Sequence, residues 1–249
     1  MKRGRLILAG SGEFTAAMED LDREILAGIA RRRARVAIVP TASGLEDTPE
    51  SWAELGKAHF AELGAEAVPV MVLRRDDARE RRWIDALRDV DWIYFSGGRP
   101  QHAINVLAGT PFWDEVVRRH RAGAVLAGSS AGAMMLGEKS YAPDEFDAAG
   151  LPQRVSVRDG LGVLGGHFVV PHFDLLSQLP PESVQAWIAA WPVGFRGIGI
   201  DEDTAIVEGA DSADGWTVRG RGRAVTMTSF DRQQVHPSGA RFDSIPIRI

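Results

Sequence analysis

The sequence has no cysteine and very little lysine. None of its 249 residues is a cysteine, which excludes disulfides, thiolate metal ligands and a cysteine nucleophile. Lys2, Lys57 and Lys139 are the only lysines, so almost every cationic side chain is a guanidinium group. Any nucleophilic side chain must therefore offer oxygen or nitrogen.

Long apolar runs and an excess of positive charge are also missing. The N-terminal apolar run Leu6–Ala9 is shorter than the apolar region of a signal peptide, and no stretch approaches the roughly 20 apolar residues of a membrane span. Lysine and arginine number 29 against 34 Asp and Glu, a net charge of −5 at pH 7. A polyanion binder normally carries the opposite balance. We therefore expect a cytoplasmic protein that binds neither membranes nor nucleic acid.

Short apolar runs alternate with segments of helical period, which is typical of parallel strands joined by crossover helices. Val36–Val39 and Trp92–Phe95 are candidate buried strands, and each ends at a polar or Gly-rich loop. After Val207 the pattern changes to short alternating strands between turn signals such as Asp214-Gly215. The sequence predicts one α/β domain over residues 1–249, with a mostly parallel sheet and C-terminal β-hairpins.

The same patterns place several other elements. A helix is predicted from about Thr15 to Ala30, and a second from Pro49 to Leu63. Ala67–Leu73 is a candidate strand, and a helix is predicted near Ala78–Asp89. Pro111–Arg121 is also predicted to be helical.

One short motif carries candidate chemistry. Gly128-Ser129-Ser130-Ala131-Gly132 fits G-x-S-x-G, a strand-to-helix turn in which small residues let a strained backbone expose a serine hydroxyl. An apolar run precedes it, and Ala133–Leu136 can begin a helix, as the motif requires. Ser130 is therefore a candidate nucleophile, and a structural turn of small residues is the alternative.

A serine hydroxyl needs a base within hydrogen-bond reach, and histidine is the obvious one. His172 follows Pro171, which should end regular strand pairing, so it lies where a strand meets a loop. Catalytic groups collect at such positions in α/β sheets. His167 is better placed as an ordinary strand residue. A metal site of His167, His172 and Asp174 is an alternative that their odd spacing along one strand disfavours.

Two further features of a hydrolase site can be located, although not uniquely. The acid that orients the base has several candidates, namely Asp201, Glu202, Asp144, Glu145 and Asp147. Paired glycines after the strand Trp92–Phe95 let a backbone N–H approach a reacting group closely. Together with the N–H of Ala131 it could form an oxyanion hole, and a plain turn is the alternative.

Six segments, in their order and intervals, resemble the dipeptidase E and cyanophycinase family of serine peptidases. They are Phe95-Ser96-Gly97-Gly98 with Gln101, Gly109-Thr110, Gly128–Ala133, Gly160-Leu161-Gly162, Pro171-His172-Phe173 and Gly197–Ala205. The resemblance extends from the first strand to about Val207. It implies a class I glutamine-amidotransferase-like fold, a three-layer αβα sandwich, and chemistry without a cofactor or metal.

The resemblance also implies roles for particular residues. Ser130 would be the nucleophile and His172 the base, and the amides of Gly98 and Ala131 would form the oxyanion hole. Cyanophycinases resemble each other in taking the acid from the Gly-Ile-Asp-Glu segment, which is Glu202 here. The resemblance to dipeptidase E instead implies an acid that lies between the Ser and the His in the sequence. The Ser-to-His interval of 42 residues and the intact segment 201–205 favour Glu202.

The chain departs from the family in one segment. Family members carry arginine after the His-Phe pair, whereas no arginine occurs here between Arg158 and Arg196. This departure weighs against Asp-X dipeptidase and cyanophycin-degrading activity. Arg99 could bind a substrate carboxylate with its planar fork, with Gln101 beside it. A surface loop arginine is the alternative for Arg99.

The sequence therefore predicts a serine peptidase that hydrolyses short peptides or isopeptides through Ser130, His172 and Glu202. We expect a small peptide substrate, and the sequence leaves a homodimer open. Two other hypotheses are kept. One is a noncatalytic binding or regulatory homologue, which the missing arginine segment suggests, and the other is an esterase or amidase that uses the same three residues.

Overall fold

An eight-stranded sheet lies at the centre of the fold and a four-stranded sheet lies beside it. The computed structural model describes residues 2–146, 152–210 and 214–249. In chain order the strands are β1 (Leu6–Ala9), β2 (Arg35–Val39), β3 (Glu66–Pro69), β4 (Trp92–Phe95), β5 (Val125–Ser129), β6 (Lys139–Phe146), β7 (Pro152–Asp159), β8 (His167–Val170), β9 (Arg196–Ile200), β10 (Thr204–Glu208), β11 (Trp216–Gly220), β12 (Arg223–Ser229), β13 (Arg232–Pro237) and β14 (Arg241–Phe242). The α-helices are α1 (Glu19–Ala27), α2 (Pro49–Glu62), α3 (Arg81–Ala86), α4 (Pro100–Leu107), α5 (Pro111–Arg121), α6 (Ala131–Met134) and α7 (Pro181–Ala189).

The central sheet has the strand order β14-β11-β10-β1-β5-β4-β2-β3. Its five strands β1 to β5 run parallel, whereas β10, β11 and β14 join antiparallel at one side. The second sheet has the order β13-β12-β9-β8, and β6 pairs with β7 as a separate ribbon. The predicted class, mostly parallel with hairpins near the C-terminus, is confirmed.

Helices cover both faces of the central sheet because successive residues of each strand point to opposite faces. On one face, Ile7 and Ile38 pack with α1 and with Phe60 of α2. On the other, Leu8 and Ile93 pack with residues of α4 and α5. The strands are buried on both faces, as expected for a parallel sheet covered by crossover helices. The arrangement is the predicted three-layer αβα sandwich.

Strand register brings four chain segments to one edge of the central sheet. The carboxyl ends of β1, β4 and β5 lie side by side, with Ala9 opposite Ser129 and Phe95 opposite Gly128. Strand β10 runs antiparallel to β1 and pairs Ala205 with Ala9, so β10 begins at this same edge. Ligands bind at the carboxyl edge of such sheets.

The second sheet delivers another two loops. Strands β8 and β9 are parallel, with Val170 opposite Gly199, so both chains leave the sheet at the same end. His172 follows β8 and Glu202 follows β9. The two residues therefore lie close together because of strand register, although 30 residues separate them along the chain.

Several predicted boundaries need correction. The helix predicted from Thr15 begins only at Glu19, because the preceding residues form turns in which the Thr15 hydroxyl donates to Gly12 O. The strand predicted to reach Leu73 ends at Pro69. The helix predicted near residues 78–89 is a 3₁₀ turn followed by the short α3, because Glu80 between them is extended. In the described ranges, no helix has both the length and the apolar character that a membrane crossing requires.

Candidate active site

Ser130 occupies a strained turn between β5 and α6. Its backbone lies at φ 50° and ψ −116°, a conformation that residues with a side chain rarely adopt. The small neighbours of Ser130 make the turn possible. A Cβ on Gly128 would lie 2.3 Å from Gly132 O, and one on Gly132 would lie 2.3 Å from Phe95 O. The turn places the Ser130 hydroxyl at the carboxyl edge of the central sheet, as the motif predicts.

His172 meets this hydroxyl from the second sheet. It lies two residues beyond β8, past Pro171, and its backbone is left-handed with φ 49°. Its Nε2 is 2.9 Å from Ser130 Oγ. The odd-spacing argument for the His pair does not apply, because β8 ends at Val170 and His172 lies outside it.

Glu202 completes a line of hydrogen-bonded side chains. Its Oε1 is 2.7 Å from His172 Nδ1, and its own backbone N–H donates to Asp174 Oδ1 at 2.9 Å. Because a carboxylate accepts hydrogen bonds, it favours the imidazole tautomer with hydrogen on Nδ1, which leaves Nε2 to accept from Ser130. The side chains of His172 and Glu202 are 38% and 41% exposed, so the line is open to solvent.

The other candidate acids stand differently. Asp201 faces away from His172, since its Oδ2 accepts from the backbone N–H of Arg223 at 3.1 Å and lies 3.3 Å from Arg223 Nε. Burial raises the pKa of Asp201. Asp147 lies outside the described residues, as do the side chains of Asp144 and Glu145. Of the described candidates, Glu202 is the one that contacts His172.

Two backbone amides lie beside Ser130 without an internal partner. Gly98 has φ 131°, and a Cβ there would lie 2.5 Å from Ala42 C and O, so only glycine fits this close approach. Ala131 is the first residue of α6, where N–H groups have no intrahelical acceptor. Within the described part of the chain, neither amide donates a hydrogen bond. Both are therefore free to bind a negatively charged oxygen.

Sequence reasoning missed two buried side chains beneath these amides. The Glu13 side chain, in the loop after β1, accepts from Gly97 N at 2.8 Å and from Ser129 Oγ at 2.6 Å. The Ser43 hydroxyl donates to Gly97 O at 2.8 Å. The sequence holds one weak signal for Glu13, because this residue follows β1, a strand that ends at the carboxyl edge of the central sheet. Nothing in the sequence marks Ser43.

Arg99 and Gln101 lie beside the site but do not join the line of hydrogen bonds. Arg99 precedes α4 and is exposed, and in the described ranges it has no ion pair. Gln101 donates to Asn105 Oδ1 at 3.0 Å within the same helix. The structure also brings a cation from elsewhere, Arg223 of β12, to a cavity of about 440 Å³ that Phe173 and Asp174 line. Sequence reasoning did not identify Arg223.

The alternative metal site is not assembled. His167 Nδ1 lies 2.7 Å from Gly165 O, and burial lowers the pKa of His167. His172 contacts Ser130 and Glu202 instead. Among the residues that the structure describes, no three His, Cys, Asp or Glu side chains are grouped to hold a metal ion.

Comparison with known proteins identifies the family. The model of peptidase family S51 matches residues 6–214. A cyanophycinase from Nostoc sp. (strain PCC 7120) is 29% identical over 227 residues, which cover 89% of this chain and 72% of that protein. A cyanophycinase from Synechococcus elongatus is 30% identical over 215 residues, covering 84% of this chain and 64% of that protein.

A solved structure agrees over nearly the full length. The crystal structure of a peptidase from an acI-B1 actinobacterium superposes with a TM-score of 0.83 and 29% identity, and 97% of each chain is covered. Sequence, structural neighbour and family model thus agree with the resemblance seen in the motifs. The chain belongs to peptidase family S51 and is a serine-type peptidase.

Proposed function

We propose that this peptidase hydrolyses short peptides or isopeptides through a catalytic triad of Ser130, His172 and Glu202. One observation carries the proposal: an unbroken line of contacts, 2.9 Å from Ser130 Oγ to His172 Nε2 and 2.7 Å from His172 Nδ1 to Glu202 Oε1. The order nucleophile, base, orienting acid is the one that acyl transfer by serine needs.

The acylation step uses each group once. Ser130 Oγ attacks the scissile carbonyl carbon while His172 Nε2 accepts the hydroxyl proton, and Glu202 stabilises the imidazolium that forms. The carbonyl oxygen becomes an oxyanion, which the amides of Gly98 and Ala131 bind. The intermediate collapses to an acyl-enzyme as the C–N bond breaks, and His172 returns the proton to the leaving amine.

Deacylation repeats the same steps with water. His172 accepts a proton from a water molecule that attacks the acyl carbon, and the same two amides bind the second oxyanion. The C–O bond to Ser130 then breaks, the proton returns to Oγ, and the peptide acid is released. The exposure of His172 and Glu202 supports this step, because water reaches the base directly.

For the substrate, the surroundings of Ser130 support a short chain with a free carboxylate. Arg99 is exposed one residue from Gly98. Its planar guanidinium matches a carboxylate with two parallel hydrogen bonds. We propose that Arg99 binds a substrate carboxylate and that Gln101 lies in the same subsite.

The test combines activity with covalent labelling. A panel of dipeptides and β-aspartyl dipeptides is assayed with wild type, Ser130→Ala and Ser177→Ala, the last being a matched change at an exposed serine. Ser130→Ala should abolish turnover while Ser177→Ala retains it, since only residual transition-state binding survives loss of the nucleophile. A fluorophosphonate should label Ser130, as located by peptide mass spectrometry.

Other results lead to different conclusions. Turnover by Ser130→Ala would exclude Ser130 as the nucleophile and with it the proposed triad. Wild type that shows neither turnover nor labelling of Ser130 would favour a noncatalytic homologue. Hydrolysis of esters without any peptide would favour the esterase hypothesis. For the subsite, Arg99→Ala should raise KM for free dipeptides but not for their C-terminal amides, and an equal effect on both would remove Arg99 from the site.

A further inference from the structure

Gly97 and Gly98, which would supply one amide of the proposed oxyanion hole, have no side chains to restrict their backbone. Glycine adopts many backbone conformations, so a Gly-Gly pair can turn its peptide groups unless other residues hold them. A turned Gly97–Gly98 peptide would direct a carbonyl oxygen, instead of an N–H, at the developing negative charge. The proposed chemistry therefore requires something to hold this peptide, and the structure shows buried side chains in contact with both sides of Gly97.

Ser43 holds the Gly97–Gly98 peptide itself. Its hydroxyl donates to Gly97 O at 2.8 Å, and both Ser43 and Gly97 are buried. In a trans peptide the C=O and the following N–H point in opposite directions. With the carbonyl directed at Ser43, the N–H of Gly98 must point away from it. That N–H is one of the two amides with no acceptor in the described part of the chain.

Glu13 holds the preceding peptide and links it to the nucleophile turn. Its Oε1 accepts from Gly97 N at 2.8 Å, and its Oε2 accepts from Ser129 Oγ at 2.6 Å. A single carboxyl group thus connects the Gly97–Gly98 segment to the residue before Ser130. The contact is close, because a Cβ built on Gly97 would lie 3.1 Å from Glu13 Oε1 and 3.4 Å from Ser130 Cβ.

Burial makes these contacts hard to replace. Glu13 is 7% exposed, and Ser43 and Ser129 are fully buried, so water cannot take over the lost hydrogen bonds. No arginine, lysine or histidine pairs with Glu13 among the described residues, and its contacts to Gly97 and Ser129 are hydrogen bonds. Glutamine can keep a contact to both, with its oxygen accepting from Gly97 N as before and its NH₂ donating to the Ser129 hydroxyl, which reverses the second hydrogen bond.

We propose that Glu13 and Ser43 are positioning residues that clamp Gly97 and so aim the Gly98 amide at the oxyanion. This inference rests on the proposed function, since it assigns the Gly98 amide that role. Neither side chain need touch the substrate. Their effect should therefore appear in the transition state and not in substrate binding.

The first measurement separates kcat from KM. Loss of an oxyanion donor lowers kcat about 10²–10³-fold, and a misdirected donor loses part of that. Ser43→Ala should lower kcat about tenfold and Glu13→Ala about a hundredfold, whereas KM stays within about threefold. Glu13→Gln should restore kcat to within about threefold of wild type, because it keeps a hydrogen bond to both partners.

A second measurement excludes a merely structural role. A peptide aldehyde made from the best substrate of the panel forms a hemiacetal with Ser130, whose oxygen needs the oxyanion hole, whereas the matching peptide alcohol does not. The inhibition constant of the alcohol divided by that of the aldehyde should fall in Ser43→Ala and Glu13→Ala by the same factor as kcat. Global destabilisation would leave this ratio unchanged.

Two matched controls lie elsewhere in the fold. Ser140 is another buried serine whose hydroxyl meets a backbone carbonyl. Glu208 is another buried glutamate that accepts from a backbone N–H, that of Leu6, and it differs from Glu13 in also pairing with Arg3. Ser140→Ala and Glu208→Gln should leave kcat and the inhibitor ratio at wild-type values.

The outcomes are separable. Unchanged kcat in Ser43→Ala, or lowered kcat with an unchanged inhibitor ratio, would overturn the clamp, as would a Glu13→Gln enzyme as slow as Glu13→Ala. If Glu13→Ala does not fold, Ser43→Ala and Glu13→Gln still decide. These results leave the triad intact provided Ser130 remains essential and labelled, whereas an active Ser130→Ala would refute the proposed function itself.

Discussion

Glu202→Gln offers the sharpest test of the proposed triad. In the wild-type protein, Glu202 Oε1 lies 2.7 Å from His172 Nδ1. The change to glutamine keeps the size of this side chain and removes its charge. An amide can also place its NH₂ against Nδ1, which favours the tautomer with hydrogen on Nε2. That tautomer cannot accept the proton of Ser130. We expect both effects to lower kcat.

The contact sets the magnitude. Two unit charges about 4 Å apart interact by about 4 kcal/mol at the effective dielectric constant near a protein surface, about 20. Each 1.36 kcal/mol is a factor of about ten in rate, so the upper value is a loss of about 10³-fold. Because His172 and Glu202 are 38% and 41% exposed, water screens the pair. We expect kcat to fall about 10²–10³-fold. This loss is smaller than the drop in kcat of about 10⁴-fold that follows replacement of the triad aspartate by asparagine in a serine protease.

The assay needs a neighbouring charge as control. Asp203 is the next residue, its Oδ2 lies 3.4 Å from Arg221 Nη1, and it has φ 51°, a conformation that asparagine tolerates. Steady-state kinetics on the best dipeptide should give Asp203→Asn a kcat within about twofold of wild type. A Glu202→Gln kcat above one third of wild type would refute the reasoning, and so would an equal loss in Asp203→Asn.

Two further predictions concern packing and pH. Gly132→Ala places a Cβ 2.3 Å from Phe95 O, a backbone atom that cannot swing aside. We therefore expect calorimetry to show about 1–3 kcal/mol of destabilisation, and fluorophosphonate labelling to be slower. Normal stability and normal labelling would contradict this prediction. Burial lowers the pKa of the fully buried His120 below 6.5, the ordinary value for histidine. The contribution of His120 to stability is therefore present above that pH and is lost as the pH falls toward the lowered pKa. The Tm of His120→Asn should therefore fall less than that of wild type between pH 7.5 and 5.5, and parallel curves would contradict this.

Local patterns predicted the elements that carry Ser130 and His172. Ser130 was found because its turn needs glycines at fixed positions, and His172 because Pro171 ends a strand. The αβα class followed from alternating apolar and helical segments, and it is confirmed. The catalytic roles of these residues stay predictions. The late start of α1 was missed because turns at residues 10–18 contain residues that also favour helices.

Contacts between distant segments could not be predicted from the sequence. Glu13 meets Gly97 across 84 residues, and Ser43 meets it across 54. Neither segment carries a motif, because a hydrogen bond to a backbone amide or carbonyl demands no particular partner side chain. The choice of Glu202 over Asp201 needed the family resemblance, since adjacent acids cannot be ranked by spacing. In the structure, the direction of each side chain separates them.

The run Gly197-Ile198-Gly199-Ile200 explains how the second sheet positions its half of the site. Ile198 and Ile200 point into the core that the two sheets share, whereas the glycines face the aromatic cluster on the other side. A Cβ on Gly199 would lie 2.5 Å from the ring of Phe173. The missing side chain lets Phe173 lie flat on β9, and Phe173 follows His172 directly. His172 is therefore held by strand register and by this ring contact, while Ser130 is held by the central sheet. A side chain at residue 199 should separate Ser130 from His172 without touching either.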